Sequence, residues 1–166
     1  MTGPTDATAM LEVLFLLGTA NGAPVLATRL LGSRFDAPLD GGLRMPDGRP
    51  VFGESKTVRG LAASVAVTSV GAALLGLGWL TGAAFAAASM GGDLASSFVK
   101  RRLGLAPHSQ ALGLDQVPEA LTPMLLLRGR LGLSFTDIAI TLGAFVVLEL
   151  ALSRLLYWLR IRDRPY

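Results

Sequence analysis

The segment 91–102 carries residue types that a polyphosphate site needs, in the order Gly-Gly-Asp-Leu-Ala-Ser-Ser-Phe-Val-Lys-Arg-Arg. On a helix, four of its side chains fall at i, i+4, i+7 and i+8 and share one face: Asp93, Ser97, Lys100 and Arg101. A carboxylate, a hydroxyl and two cations suit a magnesium-bridged polyphosphate, because Mg²⁺ takes one or two carboxylates plus phosphate oxygens. The alternative is a stop-transfer cluster that ends at Arg102 and in which Asp93 pairs with a nearby arginine. An acidic group near membrane depth is costly, which favours a functional role for Asp93.

A second candidate phosphate-binding segment, 53–60, lies just before a long apolar run. Within eight residues it offers a glycine, an ammonium, a hydroxyl and a guanidinium: Gly53, Lys56, Thr57 and Arg59. It lacks the glycine directly before the lysine that a P-loop requires, and a basic membrane flank is the alternative. The chain uses thirteen arginines but only two lysines, Lys56 and Lys100, and both fall in candidate phosphate segments. Because an ammonium and a guanidinium are not interchangeable, this usage suggests that lysine itself is needed.

Three further polar positions are candidates for the same chemistry. Asp115 is a candidate second metal ligand, and Gln116 can hydrogen-bond a nucleotide base; the alternative makes Asp115 a helix N-cap. Asn21 lies inside the first apolar run and either faces a polar cavity or bonds between helices near a kink at Pro24. Glu149 is expected to pair between helices or to line the end of a span.

The composition restricts the class of protein that must position these residues. Hydrophobic residues make up 51% of the 166 positions and charged residues 16%, with a mean hydropathy of +0.53. Soluble domains carry about 25% charged residues. The charge-free stretch 60–92 exceeds the roughly 20 residues that span a bilayer. We therefore expect an all-α, polytopic membrane protein forming one domain over 1–166, and we exclude a soluble enzyme, a disordered tail and a nucleic-acid module.

Two simple counts remove other classes of site and partner. The net charge is only +3, so a nucleic-acid partner is not expected. The chain has no cysteine, which excludes disulfides, zinc–thiolate sites and thiol catalysis.

The apolar pattern predicts five membrane-spanning helices, since a helix satisfies its own backbone hydrogen bonds in lipid. Their expected ranges are 8–31, two helices from 60–99 that turn at 76–78, 118–133 and 135–159. The loop 32–59 between the first two is long and is expected to be ordered. With five spans, three basic clusters fall on the same side of the membrane: one in that loop, one at 100–102 and one at 160–164. Because basic residues concentrate on the cytoplasmic side, the C-terminus, the loop and the polar site are expected there, and the N-terminus outside. Arg128 and Arg130 are exceptions to this rule, since they fall on the outer side.

Taken together, the motifs resemble those of the CDP-archaeol synthase family, which is related to the CDP-diacylglycerol synthases. The matching stretches are Ala-Asn-x-x-Pro-Val-Leu at 20–26, Gly-Glu-Ser-Lys-Thr-Val-Arg-Gly at 53–60, Gly-Asp-Leu-x-x-Ser-Phe-Val-Lys-Arg-Arg at 92–102, and Leu-Asp-Gln at 114–116. One departure concerns the family pattern Asp-Gln-Leu-Asp-Phe, which here reads Asp-Gln-Val-Pro-Glu. The second acid is lost or displaced by one position to Glu119, which affects either lipid specificity or a second metal ligand.

The resemblance implies an enzyme that transfers CMP from CTP to a membrane lipid phosphate. The family substrate is 2,3-bis-geranylgeranyl-glycerol phosphate, and the products are CDP-archaeol and pyrophosphate. Asp93 and Asp115 would hold Mg²⁺ and act in catalysis with Lys56 and Lys100. The triphosphate or the lipid phosphate would be bound by residues from three segments, with the cytidine near Asn21 and Gln116: Gly53, Lys56, Thr57, Arg59, Ser97, Lys100, Arg101 and Arg102.

Two alternatives to that reading stay open. The same chemistry on phosphatidic acid would make a CDP-diacylglycerol synthase, and a small membrane transporter or lipid-binding subunit would have no catalytic role. The expected partners are CTP, the lipid phosphate and the bilayer, and a homodimer is left open.

Overall fold

The chain folds into helices joined by turns and one long loop. A computed structural model describes residues 5–106, 111 and 113–158. In that part of the chain there are five helices and no strand: α1 (Ala7–Leu31), α2 (Val58–Leu74), α3 (Trp79–Arg102), α4 (Gln116–Leu126) and α5 (Phe135–Trp158). The all-α prediction is confirmed, and four of the five helices match their expected ranges closely.

Local sequence signals explain where most helices begin and end. The Asp6 carboxylate accepts hydrogen bonds from the backbone N–H groups of Thr8 and Ala9 and so caps α1. The Thr57 hydroxyl accepts from the N–H of Gly60 and caps α2. Gly76 and Gly78 have φ values of 77° and 83°, which let the chain reverse between α2 and α3 where the sequence predicted the turn.

The expected range of the fourth helix, 118–133, is wrong at its C-terminal end, because α4 stops at Leu126. The following residues form a turn in which the N–H of Leu133 donates to the carbonyl of Arg128 at 3.0 Å, with Gly132 left-handed at φ 66°. Leu131 and Leu133 are nevertheless buried, at 8% and 3% exposure. Their apolar character therefore reflects packing into the core and not a continuing helix.

The helix α3 lies at the centre of the packing. It packs against α2 on one side and α4 on the other, while α1 packs on α2, and α5 contacts α4 and α1. Two glycines of α3 allow these close approaches. A Cβ on Gly82 would collide with the backbone of Thr68, and a Cβ on Gly92 would collide with the carbonyl of Pro118. Gly82 thus lets α3 approach α2 closely, and Gly92 lets it approach α4 closely beside Asp93.

Two of the helices are long and apolar enough to cross a bilayer. They cover Ala7–Leu31 and Phe135–Leu155, and Val58–Leu74 is a shorter apolar helix. These helices support a membrane protein, while the number of spans and their orientation stay predictions. The basic cluster at 160–164 lies outside the described residues.

The long connection between α1 and α2, residues 32–57, is held by backbone and side-chain hydrogen bonds. Isolated β-bridges join Pro38 to Thr57 and Arg44 to Pro50. The N–H of Leu39 donates to the carbonyl of Lys56 at 2.7 Å. These bonds fix the backbone of the lysine-bearing segment before α2 begins.

Candidate active site

A cavity of about 860 Å³ opens where all five helices meet the 32–57 loop. This volume lies within the range of about 300–1,000 Å³ that is usual for small-molecule sites. Its walls come from the last turns of α1, the start of α2, the second half of α3, the start of α4 and one face of α5. Nine of the predicted site residues line it: Asn21, Lys56, Thr57, Asp93, Ser97, Lys100, Arg101, Asp115 and Gln116.

Two lysine–aspartate pairs form the centre of this cavity. Lys56 Nζ lies 2.5 Å from an oxygen of Asp93, and Lys100 Nζ lies 2.7 Å from an oxygen of Asp115. The four side chains are between 11% and 24% exposed, so each pair is largely shielded and still open to the cavity. The second oxygen of Asp115 accepts from the backbone N–H of Ala111 at 2.8 Å. Both lysines and both predicted metal-binding carboxylates therefore share one site.

The predicted polar face of α3 is present as expected. Its four members, Asp93, Ser97, Lys100 and Arg101, all line the cavity. Asp93 pairs with a lysine of another segment, which differs from the alternative in which it would pair with a nearby arginine. The arrangement thus joins 53–60 to 91–102 through a specific ion pair.

Asn21 and Gln116, the two predicted amide residues, form hydrogen bonds with backbone groups that are close to them in sequence. Asn21 donates to the carbonyl of Leu17 at 3.1 Å, within its own helix, so that bond is not the alternative interhelical one. Gln116 is 2% exposed and accepts from the N–H of Gly113 at 2.9 Å. Asp115 occupies the position before α4 but makes no side-chain capping bond. Gly53 does not line the cavity, although a Cβ there would lie 3.8 Å from the Arg101 guanidinium.

Two predicted phosphate-binding arginines do not line the cavity and instead hold the loop. The Arg59 guanidinium donates to the carbonyls of Gly32 and Arg34, at 2.8 and 2.6 Å, and pairs with Asp36 at 2.9 Å. Arg102 pairs with Asp47 at 2.7 Å and donates to the carbonyl of Pro50 at 2.6 Å. One arginine thus fastens the first part of the loop to α2, and the other fastens its middle to α3.

Asp40 is a positioning residue that the sequence analysis did not single out. Its carboxylate accepts from the backbone N–H groups of Gly42, Phe52 and Gly53, at 3.0, 2.9 and 3.2 Å. Burial alone would raise the pKa of Asp40, but these hydrogen bonds to the ionised form outweigh it and lower the pKa below 3.8. The Asp-Gly-Gly turn at 40–42 was the available signal.

Two further cavity residues, Arg29 and Glu149, were missed as site residues, and a third, Glu119, was named only as the displaced second acid of the family pattern. Arg29 lies in the last turn of α1, Glu119 in the first turn of α4, and Glu149 within α5. Glu149, which was expected to pair between helices or line a span end, contributes to the cavity wall. An acidic residue in an otherwise apolar span was the signal that could have identified it.

Comparison with known proteins decides the family. A family model described as CarS-like CDP-archaeol synthase matches residues 7–166, nearly the whole chain. The chain belongs to the CDP-archaeol synthase family. A CDP-archaeol synthase of Aeropyrum pernix is 36% identical over 155 residues, covering 89% of this chain and 85% of that protein. One of Pyrobaculum aerophilum is 32% identical over 174 residues, covering 94% and 99%.

Other comparisons within the CDP-archaeol synthase family agree. The Thermococcus onnurineus protein is 42% identical over 109 residues, an alignment that spans only 61% of its own length. A solved structure described as an intramembrane enzyme for archaeal membrane lipids biosynthesis is 32% identical to this chain. It aligns with a TM-score of 0.69 and covers 85% of this chain and 90% of that one. The helical arrangement is therefore that of a known membrane enzyme.

The residues around the cavity fit a divalent cation that is bound jointly with phosphates. Within the described ranges no three acidic or histidine side chains are grouped to hold a metal by themselves. Mg²⁺ is commonly held by one or two carboxylates plus substrate phosphates, and Asp93 and Asp115 can supply that number. Six carboxylates and four cationic side chains line the cavity, so its own charge does not favour polyanions. Cations that accompany a polyanionic ligand would correct this balance.

Proposed function

We propose that this protein is a CTP-dependent cytidylyltransferase that forms CDP-archaeol. Its substrates are CTP and 2,3-bis-geranylgeranyl-glycerol phosphate, and its second product is pyrophosphate. The observation that carries the proposal is the meeting of three distant charged motifs in one cavity, in a chain of the CDP-archaeol synthase family. The relatives of Aeropyrum pernix and Pyrobaculum aerophilum, both CDP-archaeol synthases, support it.

The reaction requires no proton-abstracting residue. An oxygen of the lipid phosphate attacks the α-phosphorus of CTP, a new P–O bond forms, and the bond to the β-phosphate oxygen breaks. Pyrophosphate leaves with the bonding electrons. A phosphate monoester is already ionised at pH 7, so the protein has to position two anions and stabilise the charge that builds up between them.

The two lysines are the groups that can provide this stabilisation. Lys56 and Lys100 each lie against a carboxylate at the cavity wall. When CTP binds, their ammonium groups exchange part of that contact for phosphate oxygens, and Arg101, which lines the same wall, supplies a third cation. Ser97 and Thr57 add hydroxyl donors at the same depth.

Asp93 and Asp115 are the residues that would hold Mg²⁺. When bound, the ion screens repulsion between the triphosphate and the lipid phosphate. The carboxylates are oriented by their lysine partners at the cavity wall, so they are available to a cation that arrives with CTP.

The cytidine is proposed to lie between Asn21 and Gln116. Both line the cavity, on α1 and at the start of α4. Each side chain has one hydrogen bond to the backbone that fixes its orientation and leaves further amide groups to face a base.

The membrane arrangement is proposed as five spans with the cavity on the cytoplasmic side. Two long apolar helices and the basic residues of the 32–57 loop and of α3 support this arrangement. CTP is a cytoplasmic nucleotide, and the lipid phosphate would reach the cavity at the depth of its own headgroup.

A substrate panel tests the proposed function. Purified protein in detergent is supplied with CTP, Mg²⁺ and lipid phosphates that are either ether-linked or ester-linked, and pyrophosphate release is followed. We expect release with the unsaturated ether-linked substrate. Release only with phosphatidic acid would favour the CDP-diacylglycerol synthase alternative, and no release with any lipid would overturn the enzymatic proposal.

A further inference from the structure

We propose that Arg29 binds the phosphate of the lipid substrate at the mouth of the cavity. The inference rests on the proposed function and adds to it a division of the site between the lipid phosphate and the triphosphate. Arg29 lies in the last turn of α1, lines the cavity and is exposed. It does not belong to any of the motifs that predicted the site.

The cationic side chains that line the cavity differ in their partners. Lys56 and Lys100 are paired with aspartates. Arg101 is buried, at 4% exposure, and its guanidinium donates to the carbonyl of Ala106. Arg29 has neither an ion pair nor a hydrogen-bonded side-chain partner across 5–106, 111 and 113–158. It is thus the cavity cation that can take an anion without first giving up a contact.

The position of Arg29 along α1 places it at the outer end of the cavity. Asn21, Val25, Thr28 and Arg29 all line the cavity and follow helical spacing. Eight residues separate Asn21 from Arg29, which at 1.5 Å per residue is roughly 12 Å. Because Arg29 is exposed and Asn21 is half-buried, the cavity deepens from Arg29 toward Asn21. A phosphate at Arg29 is therefore at the entrance.

An exposed apolar surface lies beside Arg29 on α1. Leu26 and Leu30 lie on α1 at i and i+4 and are 62% and 83% exposed. α1 is long and apolar enough to cross a bilayer, so its last turn lies near a membrane–water boundary. A lipid whose phosphate contacts Arg29 can keep its hydrocarbon chains against this apolar side of α1. CTP has no group that would use that surface.

The chemistry of the guanidinium agrees with this ligand. Arginine donates two parallel hydrogen bonds to a phosphate, and it stays charged at the membrane surface. A monoester phosphate dianion offers three oxygens for this contact. The triphosphate of CTP offers similar oxygens, so the test has to separate the two sources.

The test compares Arg29→Gln with Arg34→Gln in purified protein. Arg34 is an exposed arginine five residues further on that does not line the cavity, which makes it a matched control for charge. Binding of the ether-linked lipid phosphate is measured by native mass spectrometry, with the same lipid lacking phosphate as a blank. CTP binding is measured by calorimetry, and turnover is recorded separately. Arg29→Lys serves as a second, milder variant.

We expect Arg29→Gln to weaken lipid-phosphate binding about tenfold, the size of one lost charge-assisted contact. CTP affinity should stay within a factor of two, Arg29→Lys should be intermediate, and Arg34→Gln should match the wild type. Unchanged lipid binding in Arg29→Gln, weakened CTP binding instead, or no phosphate-dependent lipid binding by the wild type would each overturn the proposal. Binding that depends on Arg29 without any turnover would refute the proposed function and leave this inference standing.

Discussion

At the scale of single residues, the account depends on the two lysine–aspartate pairs. Each joins a lysine of a candidate phosphate-binding segment to a predicted metal ligand, at 2.5 and 2.7 Å. An ammonium in this position can turn from carboxylate to phosphate within a small volume. A guanidinium is larger and planar and would hold its carboxylate in a fixed two-point contact.

This difference predicts the effect of Lys56→Arg. The variant keeps the charge and should insert and fold normally, while the rate of pyrophosphate release falls at least tenfold. Asp93→Asn should lose turnover as well, because it removes a predicted Mg²⁺ ligand. Steady-state turnover with CTP and lipid phosphate measures both. Wild-type rates in both variants would indicate that the pair is only structural.

A second prediction concerns Asp40, whose lowered pKa links the loop to pH. A carboxylate with a folded pKa below its unfolded value stabilises the protein above the unfolded pKa, and that stability is lost as pH falls through the folded pKa. We expect the melting temperature of the wild type to fall as pH drops below about 3.8. Asp40→Asn should melt lower at pH 7 and show a weaker dependence in that acidic range. Identical pH profiles for the two proteins would contradict this role.

The residue types of the site could be predicted from the sequence, while the hydrogen-bond and ion-pair partners of each side chain could not. The order of Asp93, Ser97 and Lys100 on a helix face needs only the helical repeat. The separation of Arg59 and Arg102 from the cavity depends on where the carbonyls of the 32–57 loop lie, which no local pattern encodes. Arg29 was missed because its proposed role depends on its having no side-chain partner among the described residues, which the sequence does not reveal.

At the scale of elements, the contact between α3 and α4 places Asp93 and Asp115 in one cavity. Gly92 lies against the backbone of Pro118 and Glu119, closer than a side chain allows. Its neighbour Gly91 has open space around the corresponding position. The two glycines therefore provide a matched pair of tests on the same helix.

Gly92→Ala should separate α3 from α4, with a loss of stability of about 1–3 kcal/mol from overpacking and a larger loss of turnover. Gly91→Ala should be neutral or slightly stabilising, because alanine favours a helix over glycine by up to about 1 kcal/mol. Thermal unfolding in detergent and the turnover assay measure both effects. Equal behaviour of the two variants would show that the helices do not depend on this contact.

The apolar runs and the turn glycines predicted the positions of four helices closely. The predicted C-terminal end of α4 was wrong, and the reason is informative. Apolar residues continue beyond Leu126, but they belong to a turn that buries Leu131 and Leu133. A run of apolar residues cannot by itself distinguish a helix that continues in the membrane from a turn that packs into a core.

At the scale of the whole molecule, the prediction is a set of five spans with the cavity in the cytoplasm. The chain has no cysteine, so single cysteines can be introduced without background. The variants Arg44→Cys and Arg34→Cys, both in the loop, should react with a membrane-impermeant thiol reagent only when the membrane is permeabilised, so that the reagent reaches the cytoplasmic side. A cysteine at Arg130 should react from outside. Labelling of all three positions from the same side would contradict this topology.

The central claim is that one cavity transfers the α-phosphate of CTP to a lipid phosphate. The most direct measurement supplies the wild type with Mg²⁺, the ether-linked lipid phosphate and CTP that carries a radioactive label on either the α- or the γ-phosphate. We predict that the α-label appears in the extracted lipid and the γ-label in pyrophosphate. A lipid that acquires the γ-label, or that acquires none from either nucleotide, would contradict the account.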